Sequence, residues 1–281
     1  MHHETFYTKK DIKDLKLALI SDIHYYPNYN QKILNRILKQ IKNNKPDYIC
    51  IAGDILDTTK CPELSQLFNW LEQLSQISPI IAVLGNHDEK CGSMWNWTHQ
   101  KNELLLEGLK KIKNFNLLDN NILTFNNISF YGFNATYKYY EKDNESFESF
   151  EEEMKDKNPN FNKDNYNITL FHSPINIYNY IAKYPKHPLN DTDLILSGHM
   201  HNGCIPYFIT NPFNKLFKSS ISLINPLRQF FRPYSQGRIY TIKDGYIYEG
   251  INKFSHSTKL FHKLDFIYQK NVQFITIKKQ V

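Results

Sequence analysis

The sequence predicts an α/β fold in which a parallel sheet is crossed by helices. Three observations predict it. Short apolar runs alternate with amphipathic helical segments through the first third of the chain. Each run stops at a polar cluster that contains or follows a glycine or an acid. The chain, at 281 residues, is long enough to bury a large core without disulfide or structural-metal support.

The elements follow in order. Residues 15–21 form an apolar run ahead of Asp22-Ile23-His24. Residues 31–42 place Ile33, Leu34, Ile37, Leu38 and Ile41 on one helical face, with Asn30 as N-cap and Pro46 beyond the end. Residues 48–52 read as the next strand, followed by Gly53-Asp54. A second amphipathic helix starts near Pro62 and turns Leu64, Leu67, Phe68, Leu71 and Leu74 inward. Residues 80–84 form a third strand, which runs into Gly85-Asn86-His87-Asp88. The second half predicts a helix over 103–113, a hairpin of 122–125 with 128–132 around Asn126-Asn127, and a charged helix or insertion over 147–157. Strands at 168–171 and 194–196 end at His172 and at Ser197-Gly198-His199-Met200-His201, and β character closes the chain at 238–242, 246–249 and 272–277. No internal repeat or linker divides the sequence. It reads as one domain over 1–281, with a motif-bearing core at 15–250, a polar N-terminal segment at 1–14 and a closing strand region at 251–281.

Composition removes several classes. Cys50, Cys61, Cys91 and Cys204 form no CxxC pair, so zinc-finger and thioredoxin-like readings fail. Reduced thiols fit a cytoplasm-like compartment. No apolar stretch is long enough to span a bilayer, and the first residues show no signal core, so the expected location is cytoplasmic. A net charge of +6 suits anionic substrates, but it is scattered along the chain and forms no nucleic-acid tract.

The polar residues at the strand ends are Asp22, His24, Asp54, Asn86, His87, His172, His199 and His201. Parallel sheets place ligands beyond the carboxyl ends of their strands, so these groups can converge. Two carboxylates, an amide and five imidazoles supply about the nitrogen and oxygen donors that two divalent ions need. Singly, each has a bland reading: Asp54 and Asn86 as turn residues, His172 as a satisfied interior histidine. A given four-residue string such as GNHD arises by chance about 10⁻³ times in a chain of this length. The ordered set, each member after an apolar run, is far more specific.

This set resembles the signature blocks of the calcineurin-like metallophosphoesterases. The blocks stand here as Asp22-Ile23-His24, Gly53-Asp54, Gly85-Asn86-His87-Asp88, His172, and Gly198-His199-Met200-His201. The resemblance implies a two-sheet β-sandwich flanked by helices, a four-layer αββα fold. It implies that Asp22, His24 and His201 bind one metal, that Asn86, His172 and His199 bind another, and that Asp54 bridges the two. A hydroxide between the ions would then be the nucleophile. Manganese is the expected ion, with iron, zinc and magnesium as alternatives. His87 resembles the residue that binds phosphate and protonates the leaving oxygen. Asp57 resembles a residue that orients His87 through a hydrogen bond, although a solvated loop acid is the other reading of that position.

The GDxVDRG signature of Ser/Thr protein phosphatases is absent, since Gly53-Asp54 continues Ile55-Leu56-Asp57-Thr58-Thr59. Asp57 also stands where purple acid phosphatases place a tyrosine. Ser21-Asp22-Ile23-His24, His172-Ser173-Pro174 and the segment around Tyr234, Gly237-Arg238 and Tyr240 are similar to the bacterial YkuE-type phosphoesterase subgroup. Here the subgroup's usual GHTHGGQ reads Gly198-His199-Met200-His201-Asn202-Gly203-Cys204. The expected activity is phosphodiester hydrolysis on a small phosphate ester, an amphiphilic ester being one option. A nuclease and a non-catalytic scaffold of the same fold are the alternatives, and no obligate protein partner is evident. Residues 213–234 interleave Phe213, Phe217, Leu223, Leu227, Phe230 and Phe231 with Lys215, Lys218, Arg228 and Arg232. This pattern suits either peripheral membrane contact or a connector whose aromatics pack into the sandwich.

Overall fold

The computed structural model describes residues 2–27, 29–57, 63–93, 96–140, 146–199, 239–242, 245–249 and 271–280. The chain begins with β1 (His2–Thr8) and β2 (Leu15–Ile20), then α1 (Gln31–Asn44), β3 (Tyr48–Ala52), α2 (Ser65–Ser75) and β4 (Ile80–Val83). A 3₁₀ turn at Asn86–Glu89 leads into a small hairpin of β5 (Lys90–Ser93) and β6 (Asn96–His99). Next come α3 (Glu103–Lys111), β7 (Phe115–Leu117), β8 (Asn121–Phe125), β9 (Ile128–Phe133), α4 (Tyr137–Tyr140) and α5 (Phe147–Met154). The chain continues through β10 (Tyr166–Phe171), α6 (Ile177–Lys183), β11 (Leu194–Ser197), β12 (Ile239–Ile242), β13 (Gly245–Glu249) and β14 (Gln273–Lys279).

The strands form two six-stranded sheets, ordered β1-β14-β2-β3-β4-β7 and β12-β13-β11-β10-β9-β8. The inner strands are parallel, as the strand–helix alternation predicts. Antiparallel pairs appear toward the edges, among them the hairpin expected at 122–132. β14 runs antiparallel to β2, β12 to β13, and β8 to β9. At β8–β9 the cause is local: Asn126-Asn127 close a tight hairpin, with Asn126 at φ 50°, and a short turn can join only antiparallel neighbours.

Strand periodicity builds the layers. Leu17 and Leu19 of β2 face between the sheets, where they meet Ile168 and Leu170 of β10 and Leu194 and Leu196 of β11. Ala18 and Ile20 point the other way, into a core with Leu34, Ile37 and Ile41 of α1 and Leu67, Trp70 and Leu71 of α2. On the far side, Phe133, Phe171 and Ile195 pack with Tyr139, Phe150 and Ile181 from α4, α5 and α6. The result is the four-layer αββα sandwich.

α1 shows how the sequence sets an element. The Asn30 side chain accepts from Lys32 N, and four apolar side chains are buried. Each is worth ~1.5–3 kcal/mol of transfer free energy. The helix ends at Lys45, in left-handed geometry at φ 45°, with Pro46 next. The polar segment 1–14 holds β1, which pairs in parallel with β14. Lys10 then anchors it to the second sheet through bonds of 2.6 Å to both Asp193 Oδ2 and Asn165 O.

Candidate metal centre

The ladder between β2 and β3 continues past both strands into the site. Asp22 N donates to Gly53 O at 3.1 Å, His24 N to Asp54 O at 3.0 Å and Tyr25 N to Ile55 O at 2.7 Å. This zip sets Asp22, His24 and Asp54 beside one another. Two glycines let the remaining loops close on them. A Cβ at Gly85 would lie 2.2 Å from Asp54 Oδ1, and one at Gly198 would lie 2.8 Å from Ser21 Cβ and 2.9 Å from Ala52 O.

The second sheet delivers His172 after β10 and His199 after β11. His172 Nε2 lies 3.3 Å from Asp54 Oδ2, 3.1 Å from Asn86 Oδ1 and 3.2 Å from His199 Nδ1. His24 Nε2 lies 3.4 Å from the same Asp54 oxygen. His199 N donates to Asp22 Oδ1 at 2.9 Å, which joins the two sheets' loops. Asp22, His24, Asp54 and His172 are fully buried, while Asn86, His87 and His199 are partly open. His201 lies outside the described residues, as do Cys61, Cys204, the 213–234 segment and the Tyr234–Arg238 stretch.

The chemistry of this donor set fits cations. Ala52 O can only accept, so the 2.8 Å contact fixes the proton of neutral His172 on Nδ1. Its Nε2 is then a lone pair that faces the Asp54 carboxylate, the Asn86 amide oxygen and the His199 ring. Acceptors crowded together in a dry space are unfavourable unless a positive charge sits among them. Without a metal, that charge is a proton. Burial lowers the His172 pKa, but the Asp54 carboxylate overrides it and lifts it to about 9. Burial likewise pushes Asp54 up, yet His172, His87 and His24 pull it well below the usual carboxylate range. Among the described residues, three groups could hold an ion: Asp22 with His24 and Asp54, Asp54 with His172 and His199, and His24 with Asp57 and His87.

His87 sits at the rim. Its backbone N–H donates to Asp54 Oδ1 at 2.9 Å, and its Nδ1 donates to the carbonyl of Asp57 at 2.7 Å. The carbonyl therefore makes the bond expected of the Asp57 carboxylate. The carboxylate lies 4.0 Å from His87 Nδ1 and nearer, at 3.5 Å, to His24 Nδ1. Asp57 is buried, which disfavours the solvated-loop reading.

In the sequence Asp88 stands only as the last residue of the Gly85-Asn86-His87-Asp88 block, with no role of its own. In the structure its buried carboxylate accepts from Leu56 N at 2.7 Å and Gly85 N at 2.8 Å, tying the Asp54 loop to the His87 loop. Burial, reinforced by the Asp54 charge, lifts its pKa to about 7 against those hydrogen bonds. Tyr140 was also missed. Its ring centroid lies 6.2 Å from that of His172 and 5.8 Å from that of His199, walling one side of the centre.

The calcineurin-like phosphoesterase model matches residues 15–203. The chain belongs to the calcineurin-like phosphoesterase family. Members of this family use divalent metals. An uncharacterised metallophosphoesterase of Campylobacter jejuni is 27% identical over 195 residues, which are 69% of this chain and 46% of the relative. The Escherichia coli phosphodiesterase YaeI is 26% identical over 39% of this chain and 38% of its own length. The Chlamydia muridarum UDP-2,3-diacylglucosamine pyrophosphatase LpxG is 30% identical over 26% of this chain and 22% of its own length. The chain thus spans less than half the length of each of these relatives.

Proposed function

We propose that this calcineurin-like phosphoesterase is a metal-dependent phosphodiesterase with a dinuclear centre. One observation carries the reading. Asp54 Oδ2 lies 3.4 Å from His24 Nε2 and 3.3 Å from His172 Nε2, in a buried space where every facing atom is a donor to metal. Asp54 would be shared between two cations, with Asp22 and His24 on one side and Asn86, His172 and His199 on the other. His201 completes the first set by resemblance. Two divalent cations, when bound, supply a nucleophile at neutral pH and neutralise charge on the phosphoryl oxygens.

The chain's own groups do the rest. His87 holds one ring proton on the Asp57 carbonyl, so Nε2 is the nitrogen that can meet a phosphoryl or leaving oxygen. Protonated, it contacts the phosphate and gives its Nε2 proton to the departing alkoxide. Asp88 and the glycine contacts hold the loops at fixed spacing. The relatives named as a phosphodiesterase and as a diacylglucosamine pyrophosphatase support a phosphate diester or anhydride substrate. Manganese is the activator we expect, since mixed nitrogen and oxygen ligands accept it readily.

The test is hydrolysis of bis-p-nitrophenyl phosphate by purified chain loaded with Mn²⁺, Fe²⁺, Zn²⁺ or Mg²⁺. Activity should vanish with chelator and return with metal. A chain that binds none of these ions, or binds them and leaves the diester intact, overturns the proposal. Plasmid and single-stranded DNA belong in the same panel; preferential cleavage of either would favour the nuclease alternative.

A further inference from the structure

The residues of the centre divide by exposure. Asp22, His24, Asp54 and His172 form a buried floor, whereas Asn86, His87 and His199 are partly open. A phosphoryl group reaches the floor past those open residues. His87 stands on the His24 flank of this opening, with the two rings 4.5 Å apart. Tyr140 stands on the other flank, itself partly open, with ring-centroid distances of 5.8 Å to His199 and 6.2 Å to His172.

The fold fixes that ring. α4 is a single turn, too short to be stable by itself. Tyr139 anchors it. Its side chain is fully buried against Phe150 and Phe171, at ring distances of 5.7 and 6.3 Å, and its hydroxyl donates to Ile175 O at 3.1 Å. Phe171 and Ile175 lie on either side of His172 in the chain, so α4 is pinned to the loop that presents this imidazole. Successive helical residues point about 100° apart. With Tyr139 turned into the core, Tyr140 turns to the centre. α4 also packs against the 3₁₀ turn that carries Asn86 and His87.

The Tyr140 ring brings no charge to the phosphate. Its π-system instead attracts other planar rings, in offset or edge-to-face contact. We propose that Tyr140 is a specificity-determining residue whose ring receives an aromatic ester group, the one that stays on phosphorus while His87 serves the departing group. The inference rests on the phosphodiesterase reading and names the class of ester. A monoester has no retained group to place there, so this contact favours diesters.

Calorimetric titration of the Mn²⁺-loaded full chain with phenylphosphonate and methylphosphonate tests it, since the two differ only in the ring. Phenylphosphonate should bind roughly two- to tenfold more tightly. Tyr140→Ala should erase that preference, and Tyr140→Phe, which keeps the ring, should preserve it. Metal content by elemental analysis should stay unchanged in both. Melting curves establish that each variant folds, and Tyr140→Leu, which fills the space without a ring, replaces Tyr140→Ala if that variant does not. A ring that only buttresses His172 and His199 gives another pattern: its removal strips metal or weakens both ligands alike. That pattern overturns the proposal. So does a preference absent from the wild type, retained without the ring, or lost in Tyr140→Phe. Hydrolysis of bis-p-nitrophenyl phosphate, followed in parallel, separates the two readings. A chain that cleaves this diester but shows no phenyl preference retains the phosphodiesterase reading and loses the Tyr140 contact. The opposite pattern retains the contact and loses that reading.

Discussion

Asp22, His24, Asp54 and His199 adopt left-handed backbone geometry, with φ of 53°, 50°, 52° and 69°. Such conformations cost ~1–3 kcal/mol each and persist where surrounding contacts over-determine them. Here those contacts are the Gly53, Asp54 and Ile55 carbonyls that hold the first loop, and Asp22 Oδ1, which holds His199 N. Residues set this way should fail differently on substitution. Asp54→Ala removes the oxygen shared by both halves of the site, so metal content measured by elemental analysis should fall. His87→Ala should leave metal in place and lower kcat roughly 10²–10⁴-fold, less so for leaving groups that need no proton. Loss of metal from His87→Ala would show that the roles are misassigned. Asp57 lies nearer to His24 than to His87, so Asp57→Asn should weaken metal affinity by about 10–100-fold, as outer partners of ligating histidines do. Unchanged affinity, with activity lost only for poor leaving groups, would return Asp57 to the service of His87. Asp88→Asn turns an amide donor toward buried backbone N–H groups, those of Leu56 and Gly85 among them, and should cost about 1–3 kcal/mol in chemical denaturation.

Elements were legible where periodicity was strong. The apolar runs of β2, β3 and β4 and the amphipathic α1 lie within a few residues of their sequence-predicted bounds. So does the Asn-Asn hairpin of β8 and β9. The donor clusters stood out because each follows such a run. What periodicity could not supply was the partition into two sheets. β2, β3, β10 and β11 are buried on both faces and read as continuous apolar stretches, so only the resemblance separated them. β1 was missed because His2-His3-Glu4-Thr5-Phe6-Tyr7-Thr8 is a polar edge strand with few inward apolar positions. The hairpin Lys90–Ser93 with Asn96–His99 is similarly polar. α4 is a single turn, too short to leave a periodic signature. Yet β1 covers the hydrogen-bonding edge of β14 along seven paired positions, and Phe6 joins the core between the sheets. Removing residues 2–8 should therefore expose a long edge and drive self-association. Light scattering should show oligomers that the full chain does not form. A monodisperse truncated protein with an unchanged melting temperature would mean that β1 is only an appendage.

At the scale of the molecule, the centre is a seam. Asp22, His24, Asp54 and Asn86 come from loops of the first sheet, and His172 and His199 from loops of the second. The apolar contact of Leu17, Leu19, Ile168 and Leu170 holds the sheets through their bodies. Among the described residues, buried carboxylates and imidazoles from both sheets meet at the carboxyl ends. Bound cations would replace that electrostatic conflict with shared ligands from both sheets. Because the unfolded chain cannot assemble such a set, binding adds to folding stability, by ~2.7 kcal/mol when free metal is 100 times its Kd. Calorimetry should show the melting transition of the metal-loaded chain well above that of the chelated chain, with the gap widening as metal concentration rises. Asp54→Ala should lose most of the gap. His172→Ala should lose part of it, because one side of the set survives. Ile168→Ala supplies the control. It weakens the apolar contact by about 2–5 kcal/mol but touches no ligand, so it should lower both transitions and preserve the gap between them. If metal leaves the melting transition unmoved while still binding, the unfolded chain binds it equally well, and the ligand set does not depend on the two sheets coming together.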